Sequence, residues 1–280
     1  MILESVKAVT DTLSKVADKH GGSGWIMHHV LDSRELGLEP FGIIHLPQLH
    51  LFGLDISITK HIIFMWLAAI IVLLIFSVVA RSYKKSLVPK GFTNFWEILI
   101  VFVRDEIAKP TIGEGYQKFL PFLLSTFFFI LTMNFLGLLP YGNTATSNIA
   151  ITSTLAVFSF IVIQGSGMKK NGVFGYFKGL VPHGIPIVFL PVLFIVEILG
   201  LFTKPFALAV RLFANMTAGH IIIFSLIGLI FVLQTYFVAP VSIAFALFID
   251  LLEILVALIQ AYIFTILTSL FIGMAVHQDH

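Results

Sequence analysis

From Ile187 to Phe237 the chain is apolar over almost its whole length, a run of about fifty residues. As a single α-helix, this run would be about 75 Å long at 1.5 Å per residue, whereas the hydrocarbon core of a bilayer is about 30 Å thick. We therefore expect a membrane helix that is broken, steeply tilted or both, and Pro191 and Pro205 are positions where a kink can form. A second long run, Val241–Val276, follows Pro240 directly. The two runs predict a hairpin of long, tilted helices.

The composition agrees with a protein that faces lipid. Hydrophobic residues make up 58% of the chain and charged residues only 11%, whereas a soluble domain carries roughly a quarter charged residues. The net charge of +2 and the absence of a basic stretch interleaved with aromatics argue against nucleic acid as a partner. Since the chain has no cysteine, a disulfide framework and a thiolate metal site are excluded.

Three shorter apolar runs complete the expected membrane domain: Ile62–Ala80, Phe119–Leu139 and Ile149–Gln164. Each is close to the roughly 20 residues that cross a bilayer as a helix. The fold class that we predict is all-α, a polytopic membrane protein with five transmembrane helices. Charged residues recur at helical spacing in Gly91–Lys109, which we expect to be an amphipathic helix along the membrane interface. A soluble amphipathic helix would fit this segment equally well.

The basic loops predict the orientation. Lysines and arginines concentrate in residues 81–90 and 169–178, and such loops stay in the cytoplasm. The N-terminus is therefore expected outside and the C-terminus inside, with residues 1–60 a polar region outside the membrane and residues 61–280 the membrane domain. The apolar spacing in Met1–Gly22 predicts a short amphipathic helix.

The last two helices carry polar side chains where few are tolerated. A charged residue at the centre of a membrane helix costs about 2.5–3.5 kcal/mol on insertion scales, so it is expected to pair, line an aqueous cavity or perform a function. The residues concerned are Glu197, Lys204, Arg211, Asn215, His220, Asp250, Glu253 and Gln260.

Their spacing separates them into two tracks. Glu197, Lys204 and Arg211 are seven residues apart and share one helix face, whereas His220 lies nine residues beyond Arg211 on the opposite side. On the last helix, Glu253 and Gln260 are also seven apart. Two polar tracks that flank one arginine are typical of two aqueous half-paths that meet at a fixed positive charge, rather than of one continuous pore.

Three motifs in this chain resemble those of subunit a of the F-type ATP synthase. They are LFTKPFALAVRLFANMTAGH at Leu201–His220, NFLGLLP at Asn134–Pro140 and QAY at Gln260–Tyr262. The similarity extends from about Ile62 to Val276, and the arginine motif is its most specific part. The region before Ile62 lies outside it.

The resemblance implies a non-catalytic stator subunit in a bacterial inner membrane that couples proton flow to rotation and ATP synthesis without a cofactor. Its implied partners are a ring of c subunits, b-type peripheral stalk subunits and the rest of the complex. Arg211 would face the ring carboxylates, with Asn215 and Gln260 beside it. Glu197, Thr203 and Lys204 match positions toward the cytoplasmic exit.

The chain departs from one bacterial pattern at the outer half-path. His220 and Glu253 stand in exchanged positions, as in mitochondrial relatives, and we expect them to form one functional pair. Gly137 occupies a place where some members carry Asp, so the resemblance implies that one inlet carboxylate is missing.

Other functions remain open at this point. The same charges could serve a self-contained ion channel or secondary transporter, or a passive assembly anchor whose polar residues only join helices. An intramembrane enzyme is a weaker interpretation, because Ser166 between two glycines has no visible base. The histidines at positions 28, 29, 45 and 50 are too irregular to predict a metal site.

Overall fold

The computed structural model describes residues 57–85, 91–139, 144–179, 190–233 and 237–277, together with four short strands at 35–38, 42–45, 50–51 and 54–55. The amphipathic helix predicted for Met1–Gly22 lies outside the described residues. The strands pair as two small antiparallel hairpins, β1 with β2 and β3 with β4, all before the membrane domain. Their bounds are β1 Glu35–Leu38, β2 Gly42–His45, β3 His50–Leu51 and β4 Leu54–Asp55.

The membrane domain is all-α, as predicted. The helices are α1 Lys60–Lys85, α2 Phe92–Phe102, α3 Lys109–Ile112, α4 Leu120–Leu138, α5 Ile149–Asn171, α6 Val173–Lys178, α7 Leu190–Leu233 and α8 Val238–Val276. Five of them are long and apolar enough to cross a membrane: α1, α4, α5, α7 and α8.

The two long helices form continuous α-helices without a break. The 44 residues of α7 and the 39 residues of α8 correspond to about 66 Å and 58 Å at 1.5 Å per residue. Pro191 and Pro240 fall in the first turns of α7 and α8, where a missing N–H interrupts no helical hydrogen bond. Pro205 lies inside α7.

The third span, α5, is longer than the sequence predicted. The expected end at Gln164 is wrong, because α5 continues through Gly167 and Lys169 to Asn171. Gly167 packs against the ring of Tyr176 and the backbone of Ala275. These contacts hold a Gly-Ser-Gly stretch, which has low intrinsic helix propensity, in the helix.

The amphipathic segment is also helical beyond its predicted end. The α2 helix runs into a π-helical turn at Val103–Ala108 and then into α3, and glycines with positive φ flank the whole segment at 91 and 113. Phe92, Phe95 and Ile98 form an exposed apolar face. At its far end Thr111 shares a hydrogen bond of 2.6 Å with Ser269 of α8.

The α8 helix lies at the centre of the bundle and packs against α4, α5 and α7, whereas α1 packs against α4 at the periphery. The buried face of α8 combines small and polar residues, among them Ala257, Gln260, Ala261 and Thr265. Small side chains allow neighbouring helices to approach closely. This packing brings polar groups of α4, α7 and the turn before α5 next to α8.

Candidate functional site

Arg211 lies near the midpoint of α7 and is half-buried. Within the part of the chain that the structure describes, its guanidinium takes part in no hydrogen bond or ion pair. One turn away, Asn215 donates from Nδ2 to Oε1 of Gln260 on α8 at 2.8 Å. Two of the three residues predicted to lie together, Asn215 and Gln260, are therefore bonded to each other across α7 and α8.

The predicted pair of His220 and Glu253 is in contact. His220 Nδ1 lies 3.2 Å from Glu253 Oε1, and Glu253 is only 5% exposed. A carboxylate in its ionised form only accepts hydrogen bonds, and the hydrogen of this contact then belongs to Nδ1 of His220. The other ring nitrogen, Nε2, lies 2.6 Å from the hydroxyl of Thr144. The ring is thus fixed from both sides.

Thr144 begins a buried turn that continues as the 3₁₀ segment Ala145–Ser147, just before α5. Thr146 donates to Oδ1 of Asn134 on α4 at 2.8 Å, and Ser147 donates to the carbonyl oxygen of Thr144 at 2.7 Å. The Ser147 oxygen also lies 3.1 Å from Nε2 of His61. We call His61, Thr144, Ser147, His220 and Glu253 the outer cluster.

Gly137 on α4 packs directly against this turn. A Cβ atom added there would overlap the hydroxyl of Thr144 and lie 2.8 Å from its Cα. The space beside Gly137, where the resemblance implied that a carboxylate is missing, is therefore filled by the hydroxyl of Thr144. That hydroxyl is the group that contacts His220.

On the other side of Arg211, Glu197 and Lys204 line a cavity of about 360 Å³ among α5, α6, α7 and α8. Gln164, Tyr176 and His277 also line it, and this volume is large enough for several water molecules. The Lys204 ammonium lies 5.1 Å from the centre of the Phe271 ring, a cation–π contact. We call this the inner cavity.

Thr203, a third residue matched to the cytoplasmic exit, does not line the inner cavity. Its side chain is exposed, and its hydroxyl donates to the carbonyl oxygen of Gly200 at 3.1 Å. Asp250 is half-buried on α8, three residues before Glu253.

The two groups of polar residues are separated along α7. At 1.5 Å per residue, His220 is about 14 Å from Arg211 in one direction along the helix axis, and Lys204 is about 10 Å away in the other. The polar tracks therefore lie on opposite sides of one unpaired cation, as far as the described residues extend.

Sequence reasoning missed His61, Asn134 and the residues of the Thr144–Ser147 turn as parts of the site. A signal was present in Asn134, a polar residue near the end of an apolar run. No comparable signal marked Thr144 or Ser147, because hydroxyl-rich turns are common between membrane helices.

Comparison with known proteins gives a consistent result. A family model described as ATP synthase A chain matches residues 62–273. "ATP synthase subunit a" of Chloroherpeton thalassium is 56% identical over 258 residues, which cover 91% of this chain and 77% of the relative. "ATP synthase subunit a 2" of Chlorobaculum tepidum is 52% identical over 281 residues, 98% of this chain and 78% of the relative. The chain is also 46% identical to "ATP synthase subunit a" of Anaeromyxobacter sp., over 93% of its length and 67% of the relative.

Proposed function

The chain belongs to the ATP synthase A chain family, and from that membership we propose that it is the stationary, proton-conducting subunit of a bacterial F-type ATP synthase. In this role it catalyses no reaction of ATP itself but couples proton flow across the inner membrane to rotation of a c-subunit ring. Residues 1–60 lie outside the membrane, residues 61–280 form the membrane domain, and the C-terminus is cytoplasmic.

The observation that carries the proposal is the unpaired Arg211 between two separate polar groups, within the described residues. A guanidinium in the middle of a membrane helix is costly without a counter-charge. A carboxylate on a neighbouring subunit would supply that charge, and the c ring implied by family membership presents one carboxylate from each subunit in turn.

The outer cluster is suited to deliver protons. A histidine can accept and release a proton near neutral pH, and His220 is bonded to a carboxylate on one side and to a hydroxyl on the other. Toward Arg211, the Asn215–Gln260 pair follows on the same two helices. Protons that enter from outside would pass through His220 and Glu253 to a ring carboxylate near these amides.

The inner cavity is suited to release protons. It is large enough for water and is lined by Glu197 and Lys204. A positive charge within about 4–6 Å favours the ionised form of a carboxylate, so a ring carboxylate that approaches Arg211 would lose its proton toward this cavity. The membrane potential contributes about 2.3 kcal/mol per charge and 100 mV, and Arg211 would repel protons that cross without rotation.

The face of α7 around Arg211 fits a helical partner. Ala207, Ala214 and Ala218 are exposed and lie three, four or seven residues from Arg211, on its side of the helix. Small side chains let helices of another subunit approach closely. We assign this face to the c ring, and we propose b-type stalk subunits and the rest of the synthase as the further partners.

Replacing the arginine tests the proposal. Arg211→Ala should reduce proton-driven ATP synthesis in membrane vesicles to background while the subunit is still inserted and assembled. Arg211→Lys should restore little of the ATP synthesis, because an ammonium group lacks the planar array of N–H donors of a guanidinium. The matched control is Arg81→Ala, which removes an exposed arginine at the end of α1 and should leave synthesis nearly unchanged. Near-normal synthesis by Arg211→Ala would refute the assignment.

A further inference from the structure

His61 is a buried histidine of the outer cluster that lies off the proposed proton path through His220 and Glu253. It is the second residue of α1 and is only 1% exposed. Its Nε2 lies 3.1 Å from the hydroxyl of Ser147, a residue 86 positions later in the chain. The contact joins the start of the peripheral helix α1 to the buried turn before α5.

The direction of this hydrogen bond follows from the other bond of Ser147. The Ser147 hydroxyl donates its hydrogen to the carbonyl oxygen of Thr144 at 2.7 Å. A hydroxyl has one hydrogen, so the Ser147 oxygen must accept from His61, which then carries a hydrogen on Nε2. The state of His61 that fits the turn is therefore one with an Nε2–H donor.

The turn is attached to three different helices. Thr144 contacts His220 of α7, Thr146 donates to Asn134 of α4, and Ser147 accepts from His61 of α1. Both threonines are fully buried, and Ser147 is nearly so. A displacement at Ser147 is transmitted to Thr144 through the bond between them, and Thr144 is the residue that fixes Nε2 of His220.

We propose that His61 is a positioning residue for the His220–Glu253 pair. By donating to Ser147, it holds the turn so that the Thr144 hydroxyl stays within hydrogen-bond distance of His220. Among the described residues, His61 makes no hydrogen bond to His220 or Glu253, and in this role it carries no proton to the ring. This inference rests on the proposed function, since it assigns a role in proton delivery to the outer cluster.

His61→Leu should lower the rate of proton-driven ATP synthesis roughly two- to tenfold per assembled subunit, the range expected for the loss of one aligned hydrogen bond. His61→Gln should restore most of the rate, because the amide N–H of glutamine reaches about as far as Nε2 of histidine. His61→Asn, one bond shorter, should not restore it. If His61→Leu does not assemble, the rates of His61→Gln and His61→Asn are compared instead, and the inference requires that His61→Gln is the faster of the two.

A double variant separates positioning from a general structural role. In a Thr144→Val background the hydroxyl that His61 positions is gone, so His61→Leu should cause no further loss. If the two losses multiply, or if His61→Asn is as active as His61→Gln, the inference is wrong. Arg211→Ala and His220→Ala are measured in parallel. Full synthesis in both would overturn the proposed function, whereas loss in both with a normal rate in His61→Leu overturns only the role of His61.

Discussion

Gly219 precedes His220 on α7, and the side chain of Glu253 packs directly against it. A Cβ atom on Gly219 would overlap Oε1 of Glu253 and lie 2.7 Å from its Cδ and 2.9 Å from its Cγ. Contacts under about 3 Å between carbon atoms are strongly repulsive. The missing side chain at position 219 is therefore what allows a carboxylate of α8 to reach the histidine of α7.

Gly219→Ala should separate Glu253 from His220 and lower proton-driven ATP synthesis by roughly tenfold, because the carboxylate is displaced from an aligned hydrogen bond. The matched control is Gly200→Ala on the same helix, where an added Cβ meets no atom within 4 Å. Alanine favours the helix at both positions. Equal rates of synthesis in the two variants would show that the close approach at Gly219 is irrelevant.

The relative positions of single site residues could be predicted only where the residues lie on the same regular α-helix. A separation of nine residues places His220 opposite Arg211 on any regular α-helix, and a separation of seven aligns Glu253 with Gln260. Thr144 and Ser147 belong to a turn without a period, and their partners lie 76 and 86 positions away. Such contacts depend on how the helices pack.

The surroundings of Gly137 could not be predicted from the sequence for the same reason. The resemblance implied that an inlet carboxylate is missing at this position, and the neighbouring residues in the chain give no sign of which group fills the space. The hydroxyl of Thr144, seven residues later, fills it only because the chain turns back between α4 and α5.

At the scale of elements, a buried tyrosine of the short helix α6 forms a hydrogen bond to α5. Tyr176 is 2% exposed and donates from its hydroxyl to Oε1 of Gln164 at 2.6 Å. Burial raises the pKa of Tyr176 above its ordinary value of 10.0, because the neutral hydroxyl is favoured away from water. The tyrosine and its partner both line the inner cavity.

Tyr176→Phe should lower the free energy of unfolding by about 1–2 kcal/mol, since it leaves the buried Gln164 oxygen without its donor. The measurement is denaturant unfolding of the purified subunit in detergent. The control is Tyr262→Phe, because the hydroxyl of Tyr262 makes no hydrogen bond to the described residues. An unfolding curve for Tyr176→Phe that matches that of the unmodified chain would contradict the assigned bond.

The contribution of Tyr176 to the free energy of unfolding should decrease at high pH. Because the pKa of Tyr176 is raised in the folded state, its contribution to the free energy of unfolding is complete below pH 10. This contribution is lost as the pH rises through the pKa of the folded state. The difference in unfolding free energy between Tyr176→Phe and the unmodified chain should therefore shrink at strongly alkaline pH.

At the scale of the whole molecule, the architecture followed from the thickness of a bilayer. Apolar runs of about 20 residues must be helical in lipid, so the number of spans and the long final hairpin could be predicted. The exact end of α5 could not be predicted, because the tertiary contacts of Gly167 override its low helix propensity. The π-helical turn after α2 could not be predicted either, because no period in the sequence marks it.

Two aqueous half-paths that approach Arg211 from opposite sides of the membrane are the central feature of the proposed function. The chain has no cysteine, so one introduced thiol can be labelled without background. His220→Cys places a thiol at a partly exposed position of the outer cluster, and Leu201→Cys places one in the lining of the inner cavity.

The decisive measurement is the reaction of these two thiols with a small, membrane-impermeant reagent added to either side of sealed vesicles of known orientation. We predict that His220→Cys reacts only from the side of the N-terminus and Leu201→Cys only from the side that holds Lys169 and Lys170. A thiol that reacts from both sides would indicate a continuous pore. Two thiols that react from the same side would equally contradict the two half-paths.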